Sequence, residues 1–344
     1  MADLIVVIIL GIIVGIIFGF ILQRGRFCMN SAFRDIILLK EYKLFKGVML
    51  ILGVSMIGFS IMILGGIVVA APKPFTVMGS ILGGFIFGLG MVLAAGCASG
   101  TTYRVGEGMI GSLIALIGLA VGVLITGMFI KPAMAGILFP VNDPATGGSL
   151  TIAGAATPIV MLIIGIILIA ILSYTNLLPY LKEKKANNTP IFDFSDLGDK
   201  IFKKPYLWWV SGLAIGILNC FAWVASASIG RNYPMGITKG WGDWLKFALT
   251  WDAFLVLGVV VGAFIAAIIS KEFKIRVPKD KKILVQQVIG GFLMGFGAVL
   301  ALGCNIGNFL SGIPMGSVGS LVVGICIIIG CWVMTYILFM RDTD

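Results

Sequence analysis

The residues best suited to chemistry are cysteines in a duplicated, glycine-rich segment. Residues 83–100 read GGFIFGLGMVLAAGCASG and residues 290–307 read GGFLMGFGAVLALGCNIG, with 11 of the 18 aligned positions identical. The small residues of each apolar copy allow close helix packing in lipid, and each copy ends in Gly-Cys-x-x-Gly. Glycine lets a chain turn sharply beside a ligand. The repeat therefore predicts two helix breaks with a cysteine at each, although a duplicated structural bundle remains the plainer alternative.

Such breaks are suited to binding anions. A helix that begins after a break directs free backbone N–H groups and the positive end of its dipole into the gap. The candidate binding residues share this position and are Gly96, Cys97, Ser99, Gly100, Gly303, Cys304, Asn305, Gly307 and Asn308. Arg104 follows the first break, and an arginine near membrane depth is expected to pair or to face a polar cavity. We therefore include Arg104 in the candidate site.

A third cysteine lies outside the repeat but also at a predicted helix end. Cys28 follows Arg24 and Arg26, and two arginines would favour its thiolate form. Together with the two repeat cysteines it could line one path, with Cys304 outermost and Cys28 innermost. The remaining cysteines fall inside apolar segments and are interpreted as small buried hydrophobic residues; they are Cys220, Cys326 and Cys331.

The elements that must position these residues are membrane helices. Of the 344 residues, 59% are hydrophobic and 12% charged, and the mean hydropathy is +1.10. A soluble domain carries about 25% charged residues, and apolar runs of about 20 residues favour helices over a β-barrel. The chain has no histidine and no CxxC spacing, so the sequence predicts no metal, no cofactor and no disulfide framework. It is expected to be an all-α integral membrane protein.

Hydropathy predicts nine spans, at 4–22, 47–70, 79–96, 109–130, 151–178, 207–225, 246–270, 283–303 and 318–340. The first is interpreted as a retained span, since no basic segment or cleavage site precedes it. The connections on one side, with the C-terminal tail, hold 20 of the 25 lysines and arginines. This asymmetry predicts an outside N-terminus and a cytoplasmic C-terminus. It also assigns the net charge of +10 to topology rather than to nucleic-acid binding.

The same count predicts an inverted-topology repeat. Residues 1–150, with spans 1–4, form the first unit, and residues 207–344, with spans 6–9, form the second. Residues 151–206, with span 5 and a charged loop, join them and invert the second unit relative to the first. Two short helices are expected at equivalent points of the units, at 29–40 and 233–245, either re-entrant or anchored in the interface by Arg34, Lys40, Trp241 and Trp244.

These motifs carry a family resemblance. Arg-Phe-Cys at 26–28 and the doubled Gly-Cys-x-x-Gly at 96–100 and 303–307 resemble the YeeE/YedE family of sulfur-compound transporters, over essentially the whole chain. The resemblance implies thiosulfate uptake across a bacterial or archaeal plasma membrane through an hourglass-shaped protein, constricted at Cys28, Cys97 and Cys304. It also implies a TusA-like cytoplasmic sulfur carrier as a partner for some members, and selenium compounds as substrates for others.

Thiosulfate suits the candidate residues chemically. Backbone amides and Asn or Ser side chains can hold its oxygens, while a thiol donates a weak hydrogen bond to its terminal sulfur. Weak, repeated sites favour conduction, so we expect a relay of neutral thiols and no enzymatic turnover. A thiolate would repel the dianion, which favours Arg24 and Arg26 as cytoplasmic anchors or attractors at the exit.

Other functions remain open from the sequence alone. One is a membrane sulfurtransferase or redox protein that forms a covalent persulfide on Cys97 or Cys304. Another is a structural subunit that recruits a cytoplasmic sulfur carrier. Asp252 is the one acidic residue expected inside a span, where it could couple protons, although capping a helix or pairing with Lys246 is the simpler role.

Overall fold

The protein is a bundle of apolar helices. A computed structural model describes residues 4–134, 140–141, 149–177 and 204–341, with the single positions 179, 198 and 202. The helices of the part before residue 134 are α1 (Leu4–Gly25), α2 (Met29–Leu38), α3 (Lys43–Leu64), α4 (Val77–Leu93), α5 (Ala98–Gly106) and α6 (Ile110–Ile125). Those that follow are α7 (Thr157–Leu172), α8 (Trp208–Ser228), α9 (Ile237–Leu245), α10 (Trp251–Ile269), α11 (Lys281–Leu300) and α12 (Val318–Thr335).

Irregular helical turns extend several of these helices. Turns of the wider π-helical type occupy Thr126–Ile130 after α6, Ser173–Leu177 after α7, Ile306–Gly312 before α12 and Tyr336–Met340 after it. A short α-helical turn, Lys131–Ala133, follows the first of these, and a 3₁₀ turn, Gly154–Ala156, precedes α7. Two short strands, β1 (Phe75–Thr76) and β2 (Pro140–Val141), pair antiparallel, with Phe75 opposite Val141.

The prediction of nine spans is confirmed: within the described residues, nine helical stretches are long and apolar enough to cross a membrane. The first and third stretches, Leu4–Leu38 and Val77–Gly106, run past the predicted ends because each includes the short helix that follows, and two other spans have shifted ends. The span expected at 47–70 is Lys43–Leu64, because the helix ends at Gly65. The span expected at 246–270 begins at Trp251, since the Thr250 side chain accepts a hydrogen bond from the N–H of Ala253 and caps the helix there. The charged connection around 180–203 falls almost entirely outside the described residues.

Helix pairs within the bundle pack through small residues. The longest contacts join α1 to α10, α6 to α11 and α4 to α12, and α4 also crosses α11. A Cβ added at Gly19 of α1 would stand 2.1 Å from the carbonyl oxygen of Val259, and one added at Gly88 of α4 would stand 2.3 Å from that of Ile327. Larger side chains at these positions would force the backbones apart. Glycine therefore sets how closely the helices that carry the cysteine breaks can approach.

The two short helices belong to the protein interior more than their sequences suggest. α2 buries Met29 and Phe33. Trp241 of α9 donates its indole N–H to Thr102 Oγ1 at 2.9 Å, and Trp244 donates to the carbonyl of Ala253 at 2.7 Å. The indole N–H groups of both tryptophans thus bind neighbouring helices, and their role as interface anchors stays a prediction.

Candidate anion path at the two cysteine breaks

The duplicated segments form the two predicted helix breaks, and the helix before each break ends in the same way. α4 ends where the N–H of Gly96 bonds to the carbonyl of Met91 at 3.0 Å, and α11 ends where the N–H of Gly303 bonds to Ala298 at 2.7 Å. Each bond encloses a left-handed residue, Ala95 or Leu302, and both have φ +56°. This is the six-residue closure that commonly ends a helix, although glycine is the usual left-handed residue. The chain thus turns before each cysteine, one residue earlier than its glycine suggests.

At the first break, two thiols are in contact. Sγ of Cys28, at the start of α2, lies 3.7 Å from Sγ of Cys97, at the start of α5, and both side chains are buried. The Cys97 sulfur also lies 3.4 Å from Ser99 Oγ and accepts the N–H of Gly100 at 3.3 Å. A Cβ added at Gly100 would stand 2.5 Å from Cys28 Sγ. The first break is therefore a thiol pair packed against a backbone with no room for a side chain.

Polar side chains of α5 hold this turn in place. Arg104 donates to the carbonyl of Ala95, the left-handed residue of the break. The Thr101 hydroxyl donates to the carbonyls of Cys97 and Ala98, each at 3.0 Å. Arg104 also lines a cavity of about 180 Å³ at the end of α5. The sequence expectation that Arg104 pairs or faces a polar cavity is met in both respects.

The second break is held by Asn308, at the position aligned with Thr101. Its amide nitrogen donates to the carbonyls of Gly303 at 2.8 Å and Cys304 at 3.1 Å, and its oxygen accepts the hydroxyl of Ser320 at 3.0 Å. Because these bonds use its amide, Asn308 supports the turn and is poorly placed to bind an anion directly. The segment that follows, Ile306–Gly312, is a π-helical turn, where the first break continues into a regular helix.

Asn305 differs from Asn308 in having free hydrogen-bonding capacity. Its side chain is fully buried, and neither its amide nitrogen nor its oxygen has a hydrogen-bond partner among the described residues. The same side chain lies close enough to Cys97 to interact with its thiol. A buried polar group without a partner is unfavourable unless something else satisfies it. Asn305 thus links the second break to the thiol of the first and offers a donor and an acceptor there.

A lysine that sequence reasoning assigned only to membrane topology lies at the second break. A Cβ added at Gly303 would stand 2.3 Å from Lys73 Nζ, and one added at Gly307 would stand 2.9 Å from it. Burial lowers the pKa of Lys73 to about 8, with Arg231 lowering it and Cys304 and Asp252 raising it. No motif surrounds Lys73 in the sequence, and the chain between Lys73 and the second copy of the repeat, at 290–307, hides their contact.

Tyr233 completes the wall of the second break and was also missed. Its hydroxyl donates to the carbonyl of Gly307, and Lys73 Nζ lies 4.9 Å from the centre of its ring. Burial raises the pKa of the Tyr233 phenol well above its usual range, which keeps the hydroxyl protonated as a donor. One signal in the sequence precedes it: Gly230-Arg231 before Tyr233 matches Gly25-Arg26 before Cys28.

Asp252 is neutralised by two cations rather than by the one expected. Arg231 lies 2.8 Å and Lys239 3.1 Å from its carboxylate, which is fully buried. The predicted pairing with Lys246 was wrong, because that residue follows α9 and is exposed. Arg231 also donates to the carbonyls of Tyr233 at 2.5 Å and Pro234 at 3.2 Å. The ion pair therefore fixes the segment that carries Tyr233.

Two of the other cysteines have surroundings unlike those of the breaks. Cys331 donates to Asn30 Oδ1 at 3.7 Å from within α12. Cys220 lines an apolar groove of about 500 Å³ among α3, α7 and α8, which contains little polar surface. These surroundings agree with their interpretation as structural residues. Within the described residues, no cluster of cysteine and acidic side chains could hold a metal ion.

The fold and the site define a class. Nine apolar helical stretches among the described residues make this a multi-pass membrane protein, and two broken helices with polar groups in the interior are typical of membrane transporters. The profile of the family described as "Sulphur transport" matches residues 24–333. The chain therefore belongs to the YeeE/YedE sulphur-transport family, as its cysteine motifs suggested.

Two named relatives match this chain over nearly its full length. The chain is 36% identical to the thiosulfate transporter TsuA of Spirochaeta thermophila, over 96% of this chain and 99% of that protein. It is 33% identical to the thiosulfate transporter TsuA of Escherichia coli K12, over 97% of this chain and 95% of that protein. A shorter match, 40% identical over 81 residues, joins it to the probable transporter YedE of the same bacterium.

Proposed function

We propose that this protein takes up thiosulfate into the cytoplasm through a path lined by Cys304, Cys97 and Cys28. The substrate class is supported by two relatives named thiosulfate transporter, each matched over nearly its whole length. One observation carries the path: the Cys28–Cys97 thiol pair, with its sulfurs 3.7 Å apart, is buried inside the bundle beside the amide of Asn305. Soft sulfur and an unpaired amide together match an ion with one soft sulfur and three hard oxygens.

The ion enters past Lys73. Its ammonium lies over the glycines of the second break and supplies positive charge where the path begins. Asn305 then binds the oxygens, while the thiols of Cys304, Cys97 and Cys28 donate in turn to the terminal sulfur. The thiols act as neutral donors, because a thiolate would repel the dianion. Each contact is weak, so the ion passes from one to the next without being trapped.

The direction of transport rests on topology. With the lysine-rich and arginine-rich connections in the cytoplasm, Lys73 lies on the outer side and Arg104 on the inner side of a bacterial or archaeal plasma membrane. The inverted repeat of units 1–150 and 207–344, joined by 151–206, is part of this proposal. Its support is the pattern of contacts: α1 packs on α10 as α8 packs on α3, and α4 packs on α12 as α11 packs on α6.

The direct test is uptake of labelled thiosulfate into liposomes that contain only the purified protein. Sulfate and selenite serve as competitors, and a thiol-alkylating reagent serves as an inhibitor. We expect uptake that alkylation blocks and sulfate spares. Preferential competition by selenite would instead indicate a selenium compound as substrate. Folded protein that takes up no thiosulfate, alone or with a TusA-like carrier enclosed in the liposomes, would refute the proposal.

The same thiol contact favours one alternative, sulfur transfer. A Cys97 thiolate could attack the terminal sulfur of thiosulfate, breaking its S–S bond to release sulfite and leave a persulfide on Cys97. The Cys28 thiolate, 3.7 Å from Sγ of Cys97, could then attack that Sγ, forming a Cys28–Cys97 disulfide as the bond to the outer sulfur breaks and that sulfur leaves as hydrosulfide. Mass spectrometry of the protein after exposure to thiosulfate distinguishes the two functions. The transporter retains six unmodified cysteines, whereas the enzyme carries an added sulfur or a disulfide.

A further inference from the structure

A second charged region lies at the opposite end of α5 from the thiol pair. α5 begins next to Cys97 and ends at a cavity of about 180 Å³, lined in part by Tyr103 and Arg104. Nine residues of helix, about 14 Å at 1.5 Å per residue, therefore connect the cysteines to this cavity. Arg104 spans the two, because its guanidinium donates back to the carbonyl of Ala95 in the first break.

The cavity has the composition of an oxyanion site. Three arginines line it, Arg26, Arg104 and Arg276, together with the carboxylates Glu107 and Glu272. Guanidinium groups bind tetrahedral oxyanions through paired N–H donors. Since a water molecule occupies about 30 Å³ in the liquid, the cavity has room for a small oxyanion with some of its water. Nothing in the proposed relay of thiols uses this cluster.

Glu272 contacts the guanidinium groups of Arg24 and Arg26 at the end of α1. Its carboxylate accepts from Gln23 Nε2 at 2.8 Å and from Arg26 at 3.1 Å, and it lies 3.7 Å from Arg24. Although burial acts to raise it, the hydrogen bonds from Gln23 and Arg26 hold the pKa of Glu272 below its usual range. The carboxylate is thus charged at neutral pH, as a competitor of an anion must be.

The loop that carries Glu272 bridges the ends of three helices. Its backbone N–H groups at Lys274 and Arg276 bond to the carbonyls of Glu107 at 3.3 Å and Gly108 at 3.0 Å, between α5 and α6. Glu272 meanwhile binds the end of α1, just before Cys28. The loop therefore crosses the region between the thiol pair and the exposed surface. Glu272 attaches the loop to Gln23, Arg24 and Arg26, and of these contacts the ion pair with the exposed Arg26 is expected to be the weakest.

We propose that this cavity is a second oxyanion subsite beyond the thiol pair, and that Glu272 closes it as a counter-ion that the leaving oxyanion displaces from Arg26. The proposal rests on the proposed transport function for the identity of the ion. Carboxylate and dianion cannot occupy the same guanidinium together, because like charges at that distance repel. The oxyanion therefore binds Arg26 in the same step in which Glu272 leaves it. When Glu272 binds Arg26 again, the oxyanion is released toward the cytoplasm.

The test measures oxyanion affinity of the full chain in detergent. Thiosulfate and sulfate are titrated at constant ionic strength, with chloride as the balancing salt, and the melting temperature reports binding. Glu272→Gln removes the competing charge but keeps an oxygen for Gln23, so we expect about tenfold tighter binding, the equivalent of one decade in Kd. The matched control is Glu41→Gln, which removes a carboxylate from the exposed Glu41–Lys43 pair (2.7 Å) and should leave the affinity unchanged.

A double variant separates a subsite from a general change in stability. In Arg26→Gln the gain from Glu272→Gln should vanish, because the guanidinium that the carboxylate releases is absent. Equal affinity of Glu272→Gln and the wild type, or a gain that persists without Arg26, would overturn the proposal. If Glu272→Gln does not fold, Arg26→Gln alone tests it and must weaken binding about threefold or more, a difference measurable as half a decade in Kd.

Liposome uptake by the wild type tests the proposed function separately. A wild type that binds oxyanions through Arg26 but takes up no thiosulfate would refute transport and leave the subsite standing. A wild type that transports normally, with Glu272→Gln unchanged in affinity, would refute the subsite and leave transport standing.

Discussion

The two cysteine breaks end their helices in the same way but differ in what faces them. At the first, Cys97 contacts a second buried thiol, that of Cys28, and the Arg104 guanidinium donates to the carbonyl of Ala95 in the turn. At the second, no other thiol contacts Cys304 among the described residues, and the ammonium of Lys73 lies over the turn with Tyr233 beneath it. The repeated segment therefore sets the geometry twice, while the segments outside the repeat decide the chemistry.

The facing residues stand at matching places in the chain. Cys28 and Tyr233 each follow a Gly-Arg pair in the connection between a long helix and a short one. Cys28 lies against Gly100 of the first break, and Tyr233 bonds to Gly307 of the second. The two breaks are therefore faced by unlike groups, a thiol at the first and a phenol with an ammonium at the second. On the proposed path, an ion would meet Lys73 and Tyr233 at the second break and the two thiols at the first.

Removing a repeat cysteine tests whether both breaks are needed. Cys97→Ala deletes the thiol and its contacts with Ser99 and the N–H of Gly100, and Cys304→Ala deletes the other thiol. We expect each to reduce uptake about a hundredfold or more, a barrier of roughly 2.7 kcal/mol or higher. The measurement is the initial rate in liposomes at matched protein content. Cys220→Ala, in the apolar groove, is the control and should transport normally; normal rates in the break variants would refute the relay.

Filling the turn with a methyl group should affect the breaks unequally. In Gly100→Ala the new Cβ would lie 2.5 Å from Cys28 Sγ and 3.2 Å from Cys97 Sγ, both in a packed interior. In Gly307→Ala it would lie 2.9 Å from Lys73 Nζ, the end of a flexible chain. Overpacking costs about 1–3 kcal/mol where neighbours cannot move, so the first should lower uptake about tenfold and the second less than about threefold. Equal losses would mean that the two turns are equally constrained.

The sequence predicted the features that repeat. Nine spans followed from apolar runs, and both breaks followed from the doubled Gly-Cys-x-x-Gly, since spacing and residue type carry that information along the chain. The role of Asn308 was only half predicted: its amide belongs to the turn itself. One residue type at one position can bind a ligand or cap a helix, and only the neighbouring carbonyls decide between these.

What the sequence could not predict depends on contacts between distant segments. Lys73 looks like a topology signal because 230 residues separate it from Gly303, and only folding brings them together. Trp241 looks like an interface anchor, yet it donates to Thr102 of α5. Asp252 pairs with Arg231 and Lys239, and these pairs likewise depend on how α9 folds back onto α10. Charge and aromatic character are visible in a sequence, but the partner that assigns their role is not.

The lysine makes the second break sensitive to pH. Because burial lowers the pKa of Lys73 to about 8, the ammonium is present below that pH and lost as the pH rises through it. Uptake at low thiosulfate concentration should therefore fall about tenfold between pH 7 and pH 9, following the charged fraction. Lys73→Arg keeps its charge over this range and should show a flatter profile. A wild-type rate independent of pH, or the same decline in Lys73→Arg, would exclude the lysine as its cause.

The smallest expected effect separates the phenol of Tyr233 from its ring. Tyr233→Phe removes the hydrogen bond to the carbonyl of Gly307 but leaves the ring beneath Lys73. A net hydrogen bond is worth about 0.5–1.5 kcal/mol, so uptake should fall between about twofold and tenfold. Tyr174→Phe, on an exposed side chain, is the matched control. Tyr233→Ala should lose more, because the ring that supports the ammonium is also gone. If Tyr233→Phe and Tyr233→Ala reduce uptake equally, the hydroxyl is the group that the second break needs. If Tyr233→Phe transports like the wild type, the ring alone is sufficient, and packing against the break is then what Tyr233 at the second break and Cys28 at the first have in common.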